Sequence, residues 1–143
     1  MMASVCAILT NAQIGIGTTS PNSTLDIRGS LSLNYRAFTA GTTASATDNT
    51  LIFTGTLAAT VTLPDASTCM GRIYSIKNAS TTIPLPVLTI ATTAAQTIDA
   101  AAGWVLNDTK EMITLVSDGT NWNITGAGPL KTRNNFVLVQ SAA

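Results

Sequence analysis

The sequence has 143 residues, of which 45% are hydrophobic and only 10% charged, and its seven basic and seven acidic residues give a formal net charge of zero. A chain of this length can form one domain with its own hydrophobic core. It has no cluster of basic residues, which excludes the electrostatic surface that nucleic-acid binding requires, and no histidine, which excludes catalytic pairs of serine or cysteine with histidine.

Residues with hydroxyl side chains are abundant in this chain, whereas charged residues are few. It contains 25 threonines and 11 serines, and the β-branched threonine suits a pleated, half-buried strand. The 20 alanines are scattered and show no helical spacing. We therefore predict an all-β fold, a small antiparallel β-sandwich or barrel-like domain with an extended N-terminal leader and a C-terminal strand. The mean hydropathy of +0.33 further predicts that part of the apolar surface forms a homo-oligomer interface.

Residues 1–13 form an apolar segment for which two interpretations stay open. The run MASVCAIL at positions 2–9, followed by the small residue Ala12, resembles a secretory signal cleaved after that alanine, although it lacks the usual basic residues. Alternatively, the segment is an assembly arm that packs on a neighbouring molecule. The two cysteines of the chain are Cys6 and Cys69, and we assign neither thiol a function.

Residues 14–47 are predicted to form leader strands followed by a loop. A turn rich in Gly, Thr, Ser and Pro is expected at 15–23, and apolar and charged residues then alternate over 25–28, which is the period of a strand. The alternation resumes over 31–35, whereas residues 39–48 show none and are predicted to be a loop. Four apolar residues of the leader are predicted to serve assembly: Ile14, Ile16, Leu25 and Ile27.

Residues 48–128 are predicted to form a β module. Short apolar or alternating runs bounded by turn-forming residues predict strands at 51–53, 60–63, 72–77, 87–90, 97–98 and 104–106. A spacing of roughly 8 to 12 residues between strands favours a sandwich or a barrel.

A hairpin is the clearest prediction within this module. Apolar runs at 112–116 and 122–125 flank Asp118-Gly119, and glycine adopts the positive φ of a tight turn at little cost. The glycines at 126 and 128 are predicted to end the module.

Residues 129–143 are predicted to be a linker and a last strand. The link at 131–135 is polar and basic, and residues 136–139 are a continuous apolar run. Three residues of this run are predicted to serve assembly: Phe136, Val137 and Val139.

Several stretches resemble a known family. GIGTTSPNSTLDIRGSLSL is similar to a leader motif that recurs in bacteriophage tail-fibre proteins and in large bacterial surface and secreted proteins. Three later stretches resemble a β-rich module of such fibres and occur in the same order: ATVTLPDASTCMGRIYSIKNAS, TIDAAAGWVL and ITLVSDGTNWNI. Together with the leader motif they cover about residues 14–126. The resemblance implies a trimeric, mostly β, non-enzymatic structural or receptor-binding module on a virion or cell exterior. The short chain implies a tip, an adaptor, a decoration protein or a filament subunit.

The acidic residues give no sign of catalysis. Glycoside hydrolysis needs two carboxylates that face each other across a sugar, and each acidic residue of this chain has a predicted turn or solvent role. They are Asp26, Asp48, Asp65, Asp99, Asp108, Glu111 and Asp118. We predict no enzymatic activity, no metal site and no cofactor.

Ligand binding is predicted at loop tips, where aromatic rings and amides suit sugars: Trp104, Asp118, Thr120 and Asn121. Trp122 is predicted to be a core residue. The predicted function is that of a homo-oligomeric structural or attachment protein, in the favoured form a trimer, that is virion-bound, secreted or on a cell surface. Its predicted partners are further copies of itself, a cell-surface glycan or other surface proteins. The alternatives are a filament subunit assembled by strand addition, and a soluble glycan-binding module or depolymerase. No segment has the length of a membrane-spanning helix.

Overall fold

The computed structural model describes residues 13–93, 95–108 and 110–128. The described residues fall into two compact units, one that ends at Leu33 and one that begins at Asn34. The fold is all-β, as predicted. Its strands are β1 (Ile14–Ile16), β2 (Leu25–Ile27), β3 (Tyr35–Phe38), β4 (Thr42–Thr43), β5 (Thr50–Phe53), β6 (Ala59–Thr62), β7 (Ile73–Asn78), β8 (Leu88–Ala91), β9 (Gly103–Leu106), β10 (Met112–Ser117) and β11 (Trp122–Gly128).

The first unit is a two-stranded parallel ribbon of β1 and β2. The Ile14 amide donates to the Thr24 carbonyl at 2.8 Å, and the Arg28 amide donates to the Ile16 carbonyl at 2.9 Å. The predicted turn over 15–23 therefore starts too early, because residues 15 and 16 belong to a strand. The turn conformation begins at Gly17, whose φ of 74° favours glycine.

The second unit contains two sheets, and both mix parallel with antiparallel pairs. The five-stranded sheet has the order β11-β10-β7-β5-β3, and the four-stranded sheet has the order β4-β6-β8-β9. From β3 to β8 the chain alternates between the two sheets, so successive strands of one sheet run in the same direction and pair in parallel. A strand of the opposite sheet thus serves as the crossover that parallel pairing requires.

The prediction of antiparallel sheets was therefore wrong for the first part of this unit. Among the strands of the described residues, the antiparallel pairs are β8 with β9, β7 with β10 and β10 with β11. The sequence pattern could not separate the two kinds of pairing, because strand alternation fixes which face is buried and not which strand lies alongside.

One hydrophobic core joins the two sheets. Along β5, β7 and β10 every second residue is buried, which is the period-two pattern of a strand with one face on a core. The buried apolar residues of the two sheets and of the segments between their strands form a single cluster: Phe38, Ala44, Leu51, Phe53, Val61, Leu63, Ala66, Tyr74, Ile76, Leu88, Ile90, Ile98, Leu106, Ile113, Leu115 and Trp122. This arrangement of two sheets around one core is sandwich-like, and the described residues form no closed barrel.

The predicted hairpin is confirmed. β10 and β11 pair with Ser117 opposite Trp122, and the Asp118 amide donates to the Asn121 carbonyl at 3.1 Å. Gly119 has a φ of 90°, as the turn prediction requires. The glycines at 126 and 128 both belong to β11, and the residues after Gly128 lie outside the described part of the chain.

Several other predicted boundaries differ from the structure. Residues 31–34 are not in a strand, and β3 begins at Tyr35. The predicted loop over 39–48 contains the short strand β4. Residues 97–98 form only isolated bridges through Ile98, and the predicted strand at 136–139 lies outside the described residues.

Candidate functional site

The apolar residues of the leader lie on one face of the parallel ribbon. Ile14 is opposite Leu25, and Ile16 is opposite Ile27. Side chains that are opposite each other, or two positions apart along a strand, point to the same side of a sheet. The structure therefore brings together all four leader residues that the sequence analysis assigned to assembly.

This ribbon face is open to solvent. The exposed fractions of Ile14, Ile16 and Leu25 are 60%, 55% and 54%, and Ile27 is half-buried. None of the described residues 13–33 is fully buried. A two-stranded ribbon is marginally stable in water on its own, and it needs packing against another surface for independent stability.

The opposite side of the ribbon is polar. Asp26 points away from the apolar face, and its carboxylate accepts a hydrogen bond from the Asn22 amide at 3.1 Å. The Arg28 guanidinium lies 3.8 Å from the same carboxylate. The charges of the leader are thus paired with each other and leave its apolar face uncharged.

The hairpin tip uses its polar groups to build the turn. The Asp118 carboxylate accepts hydrogen bonds from the amides of Thr120 and Asn121, both at 2.7 Å, and from the side chain of Asn123 at 2.9 Å. Hydrogen bonds lower the pKa of Asp118. The largest effect comes from the Asn121 amide, followed by the side chain of Asn123 and the Thr120 amide. The Asn121 side-chain oxygen in turn accepts from the amide and the hydroxyl of Thr97.

Trp104 lies away from the loop tips, in β9 at an edge of the four-stranded sheet. It is half-buried and packs against the core cluster. Its indole Nε1 is buried without a hydrogen-bond partner among the described residues. Of the four residues predicted to bind a ligand, the structure brings Asp118, Thr120 and Asn121 together in one turn and places Trp104 in the other sheet. Trp122 is fully buried, which confirms its prediction as a core residue.

Three further carboxylates accept hydrogen bonds from backbone amides. Asp65 caps the 3₁₀ turn Ala66–Thr68, and its pKa is lowered chiefly by the Ser67 hydroxyl and amide and by the Gln96 side chain. Glu111 accepts from the amides of residues 107 and 108. Asp99 accepts from the Ile124 amide at 3.1 Å.

An ion pair between the half-buried Arg36 and the buried Asp48 was not predicted from the sequence. The Arg36 Nε and Nη2 atoms donate to the two oxygens of Asp48 at 2.9 and 2.7 Å, and the same guanidinium donates to the Thr42 hydroxyl and the Thr43 carbonyl. Asp48 also accepts from the Ser45 amide at 2.9 Å. The pair therefore attaches β4 and its loop to β3, which is a structural role.

The Arg36–Asp48 pair is expected to make stability depend on pH in the acid range. The hydrogen bonds from Arg36 lower the pKa of Asp48 from 3.8 to about 2. A carboxyl whose pKa is lowered by folding stabilises the protein above its unfolded pKa, and this stabilisation disappears as the pH falls through the folded value. We expect the difference in unfolding free energy between the wild type and Asp48→Asn to shrink by about 2 kcal/mol from pH 5 to pH 2. Urea titrations at several pH values would measure it, and a difference independent of pH would contradict it.

In the part of the chain that the structure describes, no three Asp, Glu, Cys or His side chains lie close enough together to hold a metal ion. The same residues include no helix that is long and apolar enough to cross a membrane. Cys69 is a free, half-buried thiol, and Cys6 lies outside the described residues.

No protein-family model matches this chain, and no curated protein matches it.

Proposed function

We propose that this chain is a non-enzymatic structural or attachment protein of a virion or cell exterior, and that it works as a homo-oligomer, in the favoured form a trimer. The observation that carries the proposal is the exposed apolar face of the leader ribbon, formed by Ile14, Ile16, Leu25 and Ile27. The trimer and the exterior location come from the resemblance of the sequence to tail-fibre modules.

The energetics of the leader support a partner that covers this face. Full burial of an aliphatic side chain contributes about 1.5–3 kcal/mol, so the ribbon face gains several kcal/mol when it is covered. The ribbon has no buried residue of its own to offset the entropy of ordering its backbone. A stable leader is therefore expected only in an assembly.

A second copy of the chain fits this face better than a charged partner. The face itself is uncharged, since Asp26 and Arg28 are paired on the other side of the ribbon. The formal net charge of the chain is zero, so identical copies approach each other without net repulsion. Identical apolar faces around a symmetry axis cover one another.

A double substitution in the ribbon tests this proposal. We expect Ile14→Ser with Ile16→Ser to reduce the mass in solution to the 14.7 kDa of one chain, because both substitutions remove apolar area from the proposed interface. Sedimentation velocity of the full chain measures the mass, and circular dichroism checks that the sheets remain folded.

Met70→Ser is the matched control for this experiment. Met70 is also strongly exposed, at 78%, but it belongs to the second unit. The control is expected to keep the mass of the wild type. An assembly that survives the double substitution in the ribbon, or that dissociates equally in the control, would contradict the proposal.

A filament subunit is the second candidate, and the sheet edges favour it. β3 and β9 are edge strands, each with a paired strand on one side only among the described residues. An edge strand can accept a strand from a neighbouring molecule. The same sedimentation experiment separates the candidates, because a closed oligomer has one discrete mass whereas a filament grows with protein concentration.

A further inference from the structure

Two loops at one end of the second unit hold apolar side chains out into solvent. They follow β5 and β7, and they expose Leu57 by 77% and Ile83 by 94%. The Ser80 hydroxyl donates to the Gly55 carbonyl at 2.8 Å, and the Ala59 amide donates to the Val87 carbonyl at 3.1 Å, so the two loops are joined.

The second of these loops is also fixed from the inside. The buried Asn78 side chain donates to the Pro86 carbonyl at 2.9 Å and accepts from the Ser80 amide at 3.2 Å. The Thr82 amide donates to the Ser80 hydroxyl at 3.2 Å. Ile83 is therefore presented by a preorganised loop, which lowers the entropic cost of binding against it.

A groove of about 450 Å³ lies beside this loop. This volume is within the range of sites that take a ligand or a few side chains. The groove is lined by Ser80, Thr81, Thr82, Ile83, Leu85 and Lys110. Lys110 donates from Nζ to the Ala79 carbonyl at 3.3 Å, so hydroxyls, one ammonium group and the apolar side chains of Ile83 and Leu85 line the groove.

The described part of the chain ends close to this groove. The last residue of β11, Gly128, is paired with Met112 of β10, and Met112 is two positions from the groove residue Lys110. The segment 129–143 follows, and its apolar run at 136–139 begins eight residues after Gly128. Eight residues span up to about 26 Å, which is sufficient to reach the groove.

We propose that residues 136–139 bind in this groove of the same chain, against Ile83 and Leu85. The short tether is the reason for choosing the chain's own segment, because it gives an effective concentration on the order of millimolar. Phe136 supplies the largest apolar side chain of the segment, and its burial against Ile83 removes both from water. This proposal gives residues 136–139 an intramolecular role in place of the assembly role predicted from the sequence, and it does not depend on the leader or on the oligomeric state.

Photo-crosslinking of the full chain tests the proposal. Phe136 is replaced by benzoylphenylalanine, and ¹⁵N-labelled and unlabelled chains are unfolded together, refolded as a mixture and irradiated. Mass spectrometry then identifies the crosslinked residues and the isotopic origin of each pair. We expect crosslinks to residues 79–87 or to Lys110, with both peptides from one isotopic form.

Every other crosslinking result overturns the proposal. Crosslinks to the same groove that join labelled to unlabelled chains would mean that the segment of a neighbouring copy binds there. Crosslinks to other residues, or no crosslinks, would mean that residues 136–139 do not bind in the groove.

Ile83→Asp is expected to lower the crosslink yield about tenfold, since a charge is placed against the apolar segment. Met70→Asp, at the other end of β7, is the control and leaves the yield unchanged; equal yields in the two variants would also overturn the proposal.

Discussion

Replacing Trp122 with alanine is expected to lower the free energy of unfolding by about 3–5 kcal/mol. The side chain is fully buried, and its ring lies 5.5 Å from that of Tyr74. Its backbone also joins β11 to the segment before β9, because the Trp122 amide donates to the Thr97 carbonyl and its carbonyl accepts from the Asp99 amide. The truncation leaves a large cavity between rigid strands, which cannot collapse to fill it.

Trp122→Phe is the matched control for this prediction. The indole Nε1 of Trp122 is buried and has no hydrogen-bond partner among the described residues, so phenylalanine removes an unsatisfied donor as well as some volume. We expect the loss to be less than half of that for alanine. Urea unfolding followed by circular dichroism measures both variants, and an alanine variant within about 1 kcal/mol of the wild type would contradict the assigned core.

Replacing Asn78 with alanine is expected to lower the free energy of unfolding by about 3 kcal/mol or more. The Asn78 amide donates to the carbonyls of Pro86 and Leu106 at 2.9 and 3.1 Å, and its oxygen accepts from the Ser80 amide. The residue is fully buried. Alanine leaves these backbone groups without their partner in the interior, and each buried unsatisfied group costs about 1–3 kcal/mol.

Asn34→Ala is the control for Asn78→Ala. The Asn34 side chain donates one exposed hydrogen bond, to the Thr47 carbonyl at 2.7 Å, and water can replace the lost partner there. The expected loss is below about 1 kcal/mol. Thermal or urea unfolding at pH 7 compares the two variants, and equal losses would show that burial of Asn78 is not what makes it important.

Strand positions were largely predictable from the sequence, and strand partners were not. β7 and β10 were predicted from short apolar runs bounded by turn-forming residues, and the structure buries every second residue of each strand because one face lies on the core. The turn between β10 and β11 follows from Asp118-Gly119. The parallel pairing of β3 with β5 and β7 depends on the chain alternating between two sheets, and no local sequence signal specifies that path.

The buried polar residues were missed, although the sequence contains a signal for some of them. Asn78 is in phase with the buried Tyr74 and Ile76 of β7, so its position in the alternation predicts burial. Ser117 is likewise in phase with the buried residues of β10, and its hydroxyl donates to the Ala66 carbonyl at 2.8 Å. A polar residue in a buried phase requires a hydrogen-bond partner, but the sequence does not say which group supplies it.

The leader illustrates a different limit of sequence analysis. Ile14, Ile16, Leu25 and Ile27 were predicted to serve assembly, and the parallel register places them on one face. The strand β1 itself was missed, because glycines on both sides of Ile16 indicated a turn. The partner of β1 lies eleven residues away, so its pairing could not be recognised from local alternation. The central proposal is that this shared face binds another copy of the chain.

The mass of the unmodified chain in solution, measured by sedimentation equilibrium over a hundredfold dilution, tests self-assembly most directly. We expect a discrete species of three times 14.7 kDa that persists on dilution, because the leader faces are covered only in the assembly. A single species of 14.7 kDa at every concentration would contradict the proposed homo-oligomer.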